Sequence, residues 1–368
     1  EAEFDLRRID APVPVSNVPS EEIHGIYRSA TDDRLRVVDK ANGGKGDAQN
    51  AAIWLTDAEL FCVVDADTIT QPDCLAKMVR PFLEHPDETV AVGGPIRVVN
   101  GSTVEDGVVK RPGLPSSPLA ALQQIEYIRA FFAGRLGLDR LRSLILISGA
   151  FGLFRTDVVR EIGGFDADSI VEDIELTIRL HRHLLERGRS YRIGYFREPT
   201  VWTQVPEDRR TLANQRRRWY RGLVETLVKH RGAIFDRQYG LVGLFGLPFF
   251  LLGEAIGRLF EALGYLLIPV AIALGVVSTD GLLVVALGVV SFGVLLTWLS
   301  LLVEVLGSRQ YERPGQIAVL MALGVVEFLG YRQWRTVVSV TGLVGCLRGE
   351  SSWGEMKRVA LSGDRHSD

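Results

Sequence analysis

The sequence predicts an α/β domain, built on a mostly parallel sheet covered by helices and followed by helices that lie on or cross a membrane. Three observations carry this expectation. Short apolar runs alternate with helical patterns over the first 235 residues, as in successive βα units. Charged clusters fall in a fixed order, Asp65-Ala66-Asp67, then Glu172-Asp173, then Gln215-Arg216-Arg217-Arg218-Trp219. Finally, mean hydropathy is slightly positive although 24% of the 368 residues are charged, which requires charged and apolar residues to be segregated along the chain. Residues 1–235 hold nearly all the charge and 241–331 hold little.

Leu35-Arg36-Val37-Val38 reads as a short strand, and the Asn42-Gly43-Gly44 turn leads into a helix over 47–55. Leu60-Phe61-Cys62-Val63-Val64 is an apolar strand that delivers Asp65 and Asp67 at its carboxyl end, where α/β sheets bind ligands. Gln71-Pro72 starts a helix with proline in its first turn, running to Leu83. Segments 90–94 and 96–99 are further strands, and 100–117 is a loop rich in Gly, Pro and Ser. The apolar run 144–147 reads as a core strand ahead of Ser148-Gly149-Ala150-Phe151. A helix opens at Glu172-Asp173 with Ile174, Ile178 and Leu185 on one stripe, and another helix bears Gln215 to Trp219.

In the apolar third, 282–303 holds 22 residues without charge, enough to span a bilayer. Segment 262–277 extends it into a hairpin with Ser278-Thr279-Asp280-Gly281 as the turn. Glu254, Arg258 and Glu261 follow 241–253 at helical spacing, an arrangement suited to an interfacial helix. Segment 317–329 contains Glu327 and is bordered by Arg332 and Arg335; it is left as interfacial, re-entrant or spanning. Arg332, Arg335, Arg348, Lys357 and Arg358 favour a cytoplasmic tail and an even number of crossings. So few clear spans argue against a transporter or channel.

A net charge of −3 gives no reason to expect nucleic acid as a partner. Cys62, Cys74 and Cys346 are odd in number and widely spaced, and they read as reduced packing thiols in a cytosolic setting. His181 and His183 lie two apart on a helix, so they point in different directions and read as a solvated face rather than a metal pair. Each charged cluster also has a plain structural explanation. Asp65 and Asp67 can end a strand in solvent, Glu172 and Asp173 can complement a helix dipole, and the Gln215–Trp219 segment, with Arg209, Arg210, Arg221, Lys229 and Arg231, can sit against anionic headgroups. Asp39 and Asn50 have no assignment.

Taken together, Asn42-Gly43-Gly44-Lys45, Asp65-Ala66-Asp67, Ser148-Gly149-Ala150, Glu172-Asp173 and Gln215-x-x-Arg218-Trp219 resemble the family 2 glycosyltransferases, in particular the membrane-embedded branch of cellulose, chitin, hyaluronan and poly-N-acetylglucosamine synthases. The resemblance implies a GT-A-like (Rossmann-like) fold and an inverting β-glycosyltransferase that elongates a polysaccharide from a nucleotide-diphosphate sugar, a UDP-sugar. It implies Mg²⁺ or Mn²⁺ held by Asp67 and, less directly, Asp65. Lys45 and Arg218 would sit near the donor, and Asp173 would be the general base, with Glu172 orienting it. Ser148, Gly149, Gln215 and Trp219 would meet the acceptor, while Arg216 and Arg217 fit lipid better. The implied partners are a glycan or lipid-linked acceptor, membrane lipid and an accessory export subunit. The expected location is the inner or plasma membrane, multi-pass, with the catalytic domain cytoplasmic.

The organisation expected is a catalytic domain over 1–235, interfacial and transmembrane helices over 236–335 and a basic cytoplasmic tail over 336–368. The family fold opens with a further strand ending in an aspartate that grips uracil, usually after a transmembrane segment. Neither is found in a sequence that begins Glu1-Ala2-Glu3, so an incomplete N-terminus is expected. Two alternatives stay open: transfer of a single sugar to a lipid, and an inactive membrane scaffold.

Overall fold

A computed structural model describes residues 4–9, 18–198, 201–308, 311 and 313–347. The central sheet has the order Arg192–Tyr195, Thr89–Gly93, Phe151–Arg155, Leu60–Val64. Phe151–Arg155 runs antiparallel to both its neighbours, whereas Arg192–Tyr195 is parallel to Thr89–Gly93. The α/β class therefore stands, but the sheet is mixed rather than mostly parallel. Strand direction is set by where connections return, which apolar periodicity does not encode. Leu60–Val64 matches the predicted strand residue for residue and lies at the sheet edge, with Val64 exposed.

A smaller sheet of Ile69–Thr70, Val201–Thr203 and Ile96–Val98 continues beyond the strand ends, and Leu6–Arg8, Ile23–Ser29 and Arg36–Lys40 form an antiparallel third sheet. The predicted strand at 35–38 thus exists, but it joins N-terminal strands that the apolar pattern did not mark. The expected loop 100–117 contains a hairpin, Thr103–Glu105 with Val108–Arg111, closed by Asp106 and Gly107 at φ 51° and 69°. Asp-Gly is the usual pair for a two-residue turn with both φ positive. The expected strand at 144–147 is instead buried coil, and the strand follows it at Phe151–Arg155.

Core residues Ile147, Phe151, Val92, Met78, Leu176 and Leu180 pack the sheet against its helices. A second core joins the Glu172–Glu186 helix to the Arg209–Lys229 helix through Val171, Ile174, Ile178, Leu223 and Leu227. A third lies where Ile125 and Ile128, on the Pro118–Arg129 helix, meet Leu301 and Leu320 of the apolar helices. His181 falls on the Ile174–Ile178 stripe and is buried, not solvated. Its Nδ1 is 2.7 Å from Tyr191 Oη and its Nε2 2.8 Å from Leu144 O. Burial lowers its pKa to about 4, so the imidazole is neutral. Cys62 and Cys74 are free thiols, and burial, with Cys74 adding, raises Cys62 to about 12.

Among the described residues, two helices are long and apolar enough to cross a membrane, Val242–Ala273 and Thr279–Gly307. The first is one continuous element with π-helical stretches, so 241–253 and the start of 262–277 belong to one helix, which turns back into the second as the expected hairpin. Its charges are paired instead: Arg258 binds Glu254 at 2.6 Å and Arg332 binds Glu261 at 3.1 Å. The turn falls at 274–278, and Ser278 caps the next helix by accepting from Gly281 N. Pro314–Val326 and Tyr331–Leu343 pass the same test only as a pair bent by 58°, a broken span or a re-entrant loop. Residues 336–347, expected in the tail, complete the Tyr331–Leu347 helix; the rest of that tail lies outside the described residues.

The Tyr331–Leu347 helix packs against the Arg209–Lys229 helix so closely that a Cβ on Gly342 would lie 2.7 Å from Arg217 O. Gly342→Leu should therefore destabilise by roughly 1–3 kcal/mol, the usual size of overpacking, and lower the thermal midpoint in detergent. Gly288→Ala, at a position with open space around it, is the control and should leave the midpoint unchanged. Equal midpoints for Gly342→Leu and wild type would show that this helix contact is not tight.

Candidate active site

Lys45 is the centre of the site. It lies in the first turn of the Gly44–Leu55 helix, whose entry uses Gly44 at φ +87°. Its ammonium is 2.7 Å from Asp65 Oδ1 and 3.0 Å from Glu172 Oε1, and it donates to Gly149 O at 3.0 Å. A strand end, a helix start and a turn that are far apart in sequence are thereby joined at one cation. A Cβ on Gly149 would fall 2.8 Å from Lys45 Nζ and 2.9 Å from Glu172 Oε1, so a side chain there would push these two side-chain ends aside.

Asp173 opens the Glu172–Glu186 helix and points into the same cluster, where its Oδ2 accepts from Gly149 N at 2.8 Å. Ser148 lies in the adjoining turn, its Oγ accepting from Ala150 N at 3.5 Å and its carbonyl from Phe151 N. Asp67 follows Asp65 by two residues beyond the strand end and interacts with it electrostatically. Burial raises the pKa of Asp65; Lys45 opposes the rise, and Asp67 and Asp173 add to it. Glu172 is raised by burial and by Asp173, again against Lys45. Burial works against the charge on Lys45, but Glu172 and Asp65 prevail and hold it above its ordinary value.

The Arg209–Lys229 helix supplies the opposite wall. Asp208 caps it by accepting from Thr211 N at 2.8 Å. Burial lowers the pKa of Arg218, against the pull of Glu172 and Asp65, which brings this guanidinium into the field of the carboxylate cluster. Trp219 is 37% exposed, so its ring remains available to a ligand, and Gln215 Oε1 is buried without a hydrogen-bond partner. The predicted residues Lys45, Asp65, Asp173, Gly149 and Arg218 are thus brought into one electrostatic cluster.

Two basic residues expected at lipid make contacts within the fold. Arg216 is buried, its Nη2 lies 2.5 Å from Glu126 Oε2, and its guanidinium sits 4.6 Å from the Trp219 ring centre. Arg217 is exposed and donates from Nε to Thr341 Oγ1 at 3.1 Å. Lys229 likewise bridges Asp166 and Glu175, at 2.5 and 2.8 Å, and so fastens the Asp173-bearing helix to its neighbour. Glu175 is also held by Arg179, which donates to the Ile162 and Gly164 carbonyls.

Sequence reading missed Arg135 and Tyr127. Arg135 stacks on Phe131 at 3.7 Å, its Nη1 is buried without a partner, and burial lowers its pKa against the pull of Tyr195 and Asp173. Tyr127 is raised by burial, with the Asp67 charge among the causes. Both flank the π-turn Ala130–Gly134, the kind of helix interruption that often marks a functional site. No motif spacing signals it.

The model of the family described as glycosyltransferase-like family 2 matches residues 20–222. The chain belongs to this family. The glycosyltransferase is 29% identical over 205 residues to a poly-β-1,6-N-acetyl-D-glucosamine synthase of Staphylococcus epidermidis and 30% identical to the synthase of that name from Staphylococcus aureus strain COL. Each match covers 55% of this chain and 45% of the relative, so less than half the length of these curated relatives is matched. A solved mannosyltransferase of Pyrobaculum calidifontis, in complex with GDP-Man and Mn²⁺, superposes with a TM-score of 0.44 at 17% identity, covering 84% of this chain and 68% of its own.

Glu126 links the site to the apolar helices, because its two oxygens meet Arg216 and Arg335. Burial works to raise its pKa, but these guanidinium groups hold it down to about 2. A depressed carboxylate pKa contributes stability that is present above the unfolded value and lost as pH falls through the folded value. That contribution should therefore fade between about pH 4.5 and about 2. Glu126→Gln should lower stability at neutral pH by roughly 3–5 kcal/mol, the cost of stranding buried charges, and flatten the acid limb of unfolding followed by tryptophan fluorescence. An unchanged acid limb would remove Glu126 from this role.

Proposed function

We propose that this glycosyltransferase is an inverting, metal-dependent β-glycosyltransferase that moves a sugar from a nucleotide-diphosphate donor, a UDP-sugar, onto a growing polysaccharide at the cytoplasmic face of the cell membrane. The observation that carries the proposal is the convergence of Asp65, Glu172, Asp173 and the Gly149 turn on Lys45, beside Arg218. It combines a carboxylate able to take a proton with cations able to receive a leaving diphosphate.

Asp65 and Asp67 offer two hard carboxylates; burial raises the Asp65 pKa, and the charges of Asp67 and Asp173 add to the rise. Among the described residues no cluster of three His, Cys, Asp or Glu side chains forms a complete metal cage. Mg²⁺ is commonly held by one or two carboxylates together with substrate phosphates, so the pair fits Mg²⁺ or Mn²⁺ arriving with a diphosphate. When bound, the cation neutralises charge on the departing phosphates.

In this reading Asp173 accepts the proton of an acceptor hydroxyl while that oxygen attacks the anomeric carbon. The bond from that carbon to the diphosphate oxygen breaks on the opposite face, and Lys45 and Arg218 stabilise the released charge. One displacement inverts the configuration, so an α-linked donor gives a β-linked product. Gly149 N holds one Asp173 oxygen, which fixes the carboxylate orientation. Trp219 offers an aromatic face to the acceptor sugar, with Gln215 beside it as an unpaired acceptor for a hydroxyl. Resemblance to the poly-N-acetylglucosamine synthases and the apolar helices that follow Trp219 support a polymer product.

Asp173→Asn should reduce turnover by roughly two to four orders of magnitude, the usual size of general-base effects, with donor affinity retained. Loss of affinity at constant turnover would make Asp173 a binding group. Asp67→Asn should abolish transfer and weaken metal-dependent nucleotide binding while the protein stays folded in detergent; normal activity in that variant would remove the metal assignment. Trp219→Ala should shorten the polymer while donor hydrolysis persists; single-sugar product from the wild type at every donor concentration would replace polymer synthesis by transfer to a lipid. A cysteine probe near Asp280 should be labelled from outside intact cells and one at Asp166 should not. Labelling at Asp166 would reverse the orientation.

A further inference from the structure

A cavity of about 1150 Å³ lies apart from the Lys45 cluster, between the small sheet and the junction of the apolar helices. Its walls include Arg97 and Trp202 from the small sheet, Lys110 and Arg111 from the Asp106–Gly107 hairpin, Arg197, and Arg313. Most charges nearby are balanced. Arg97 pairs with Glu304, Lys77 with Asp73 at 2.7 Å, and Glu198 with Arg80 at 3.3 Å. Arg197, Lys110, Arg111 and Arg313, by contrast, make no ion pair among the described residues. Among the described residues, four positive groups that line one space therefore make no ion pair.

Two buried donors sharpen the picture. Arg97 is 4% and Trp202 2% exposed, and Arg97 Nε and Trp202 Nε1 have no hydrogen-bond partner. Burying such donors unpaired is costly unless something completes them. Arg97 is also fixed in place, 4.7 Å from the Phe132 ring centre and 5.9 Å from that of Trp202. Guanidinium forks match the oxygens of phosphate and carboxylate groups bidentately. The cavity is bounded as well by Gly307 and Gln316, on either side of the connection between Thr279–Ser308 and Pro314–Val326. That connection is where an apolar helix ends, the level at which lipid phosphates lie.

We propose that this cavity is a phosphate-binding site, separate from the donor site, that takes a phosphate ester at the membrane surface. Its ligand is either the headgroup of an anionic lipid or a soluble phosphorylated molecule. The placement at headgroup level rests on the membrane reading above, whereas the charge count does not.

The test uses the full chain purified in neutral detergent, with dihexanoyl phosphatidylglycerol and inorganic phosphate as separate probes, dihexanoyl phosphatidylcholine as the zwitterionic control, and metal omitted. Binding is followed by thermal shift and titration at low and high salt. The exposed pair Arg197→Gln/Arg313→Gln should bind the favoured probe roughly tenfold more weakly than wild type, or worse, given the contribution of each basic group near an anionic surface. Preference for phosphatidylglycerol identifies the lipid source, and preference for inorganic phosphate the soluble one. Equal binding of both probes by wild type and the double variant overturns the proposal, as does equal binding of the phosphatidylcholine control. Lys45→Met should lose sugar transfer yet bind both probes as wild type does, so a failed functional reading and a failed cavity proposal give different results.

Discussion

The Lys45 ammonium joins parts of the chain that no local rule would bring together. Asp65 ends a strand, Glu172 starts a helix more than a hundred residues later, and the Gly149 carbonyl belongs to a turn between them. Two carboxylates this close repel, and Asp173 adds a third negative group; without the cation the helix start could not approach the strand end at neutral pH. The space for it depends on a missing side chain, since any Cβ at Gly149 would meet both Lys45 and Glu172. The cluster is therefore a structural joint that also carries a cost, because partly buried charges gain less from pairing than they lose in hydration unless the geometry is close. Short contacts on three sides of the ammonium meet that condition.

The same physics is repeated where the domain meets its apolar helices. Glu126 faces Arg216 and Arg335, Arg129 faces Glu327 at 2.5 Å, and Arg97 faces Glu304. In each case one partner belongs to the catalytic part and another to the C-terminal helices. Charges that would be expensive against lipid are thus turned inward and satisfied. Thr297 donates a further bond within the Arg129–Glu327 pair, at the break between the two bent helices. The Arg209–Lys229 helix consequently cannot shift independently of the apolar segment, and Trp219, lying under Arg216, moves with it.

Much of the site was legible because its residues follow strand ends and helix starts that apolar patterns locate. Leu60–Val64 was readable to the residue, and Asp65 and Asp67 followed from it. The Glu172–Glu186 helix was readable from its stripe, which also contains His181; assigning that histidine to solvent overlooked the spacing of three from Ile178. What was not legible depends on pairing at long range. The direction of Phe151–Arg155 is fixed by the Ser148 turn, Arg135 enters through a π-turn without a motif, and nothing local distinguishes Arg216, which pairs with Glu126, from Arg217, which is exposed. Asp106-Gly107 was a missed turn signal rather than an illegible one.

The charges within the apolar third find their partners inside the fold. Glu254, Arg258 and Glu261 made 241–261 look interfacial, since a charge facing lipid is penalised. In the fold Arg258 reaches Glu254 and Ser339 Oγ, while Glu261 receives Arg332 and Thr336, so partners for these charges come from the Tyr331–Leu347 helix. That helix also touches Arg217 through Thr341 and Gly342. Thr336 and Ser339, at the start of the segment expected as a tail, thus add partners for Glu261 and Arg258, and their helix packs against the one that presents Arg218 and Trp219.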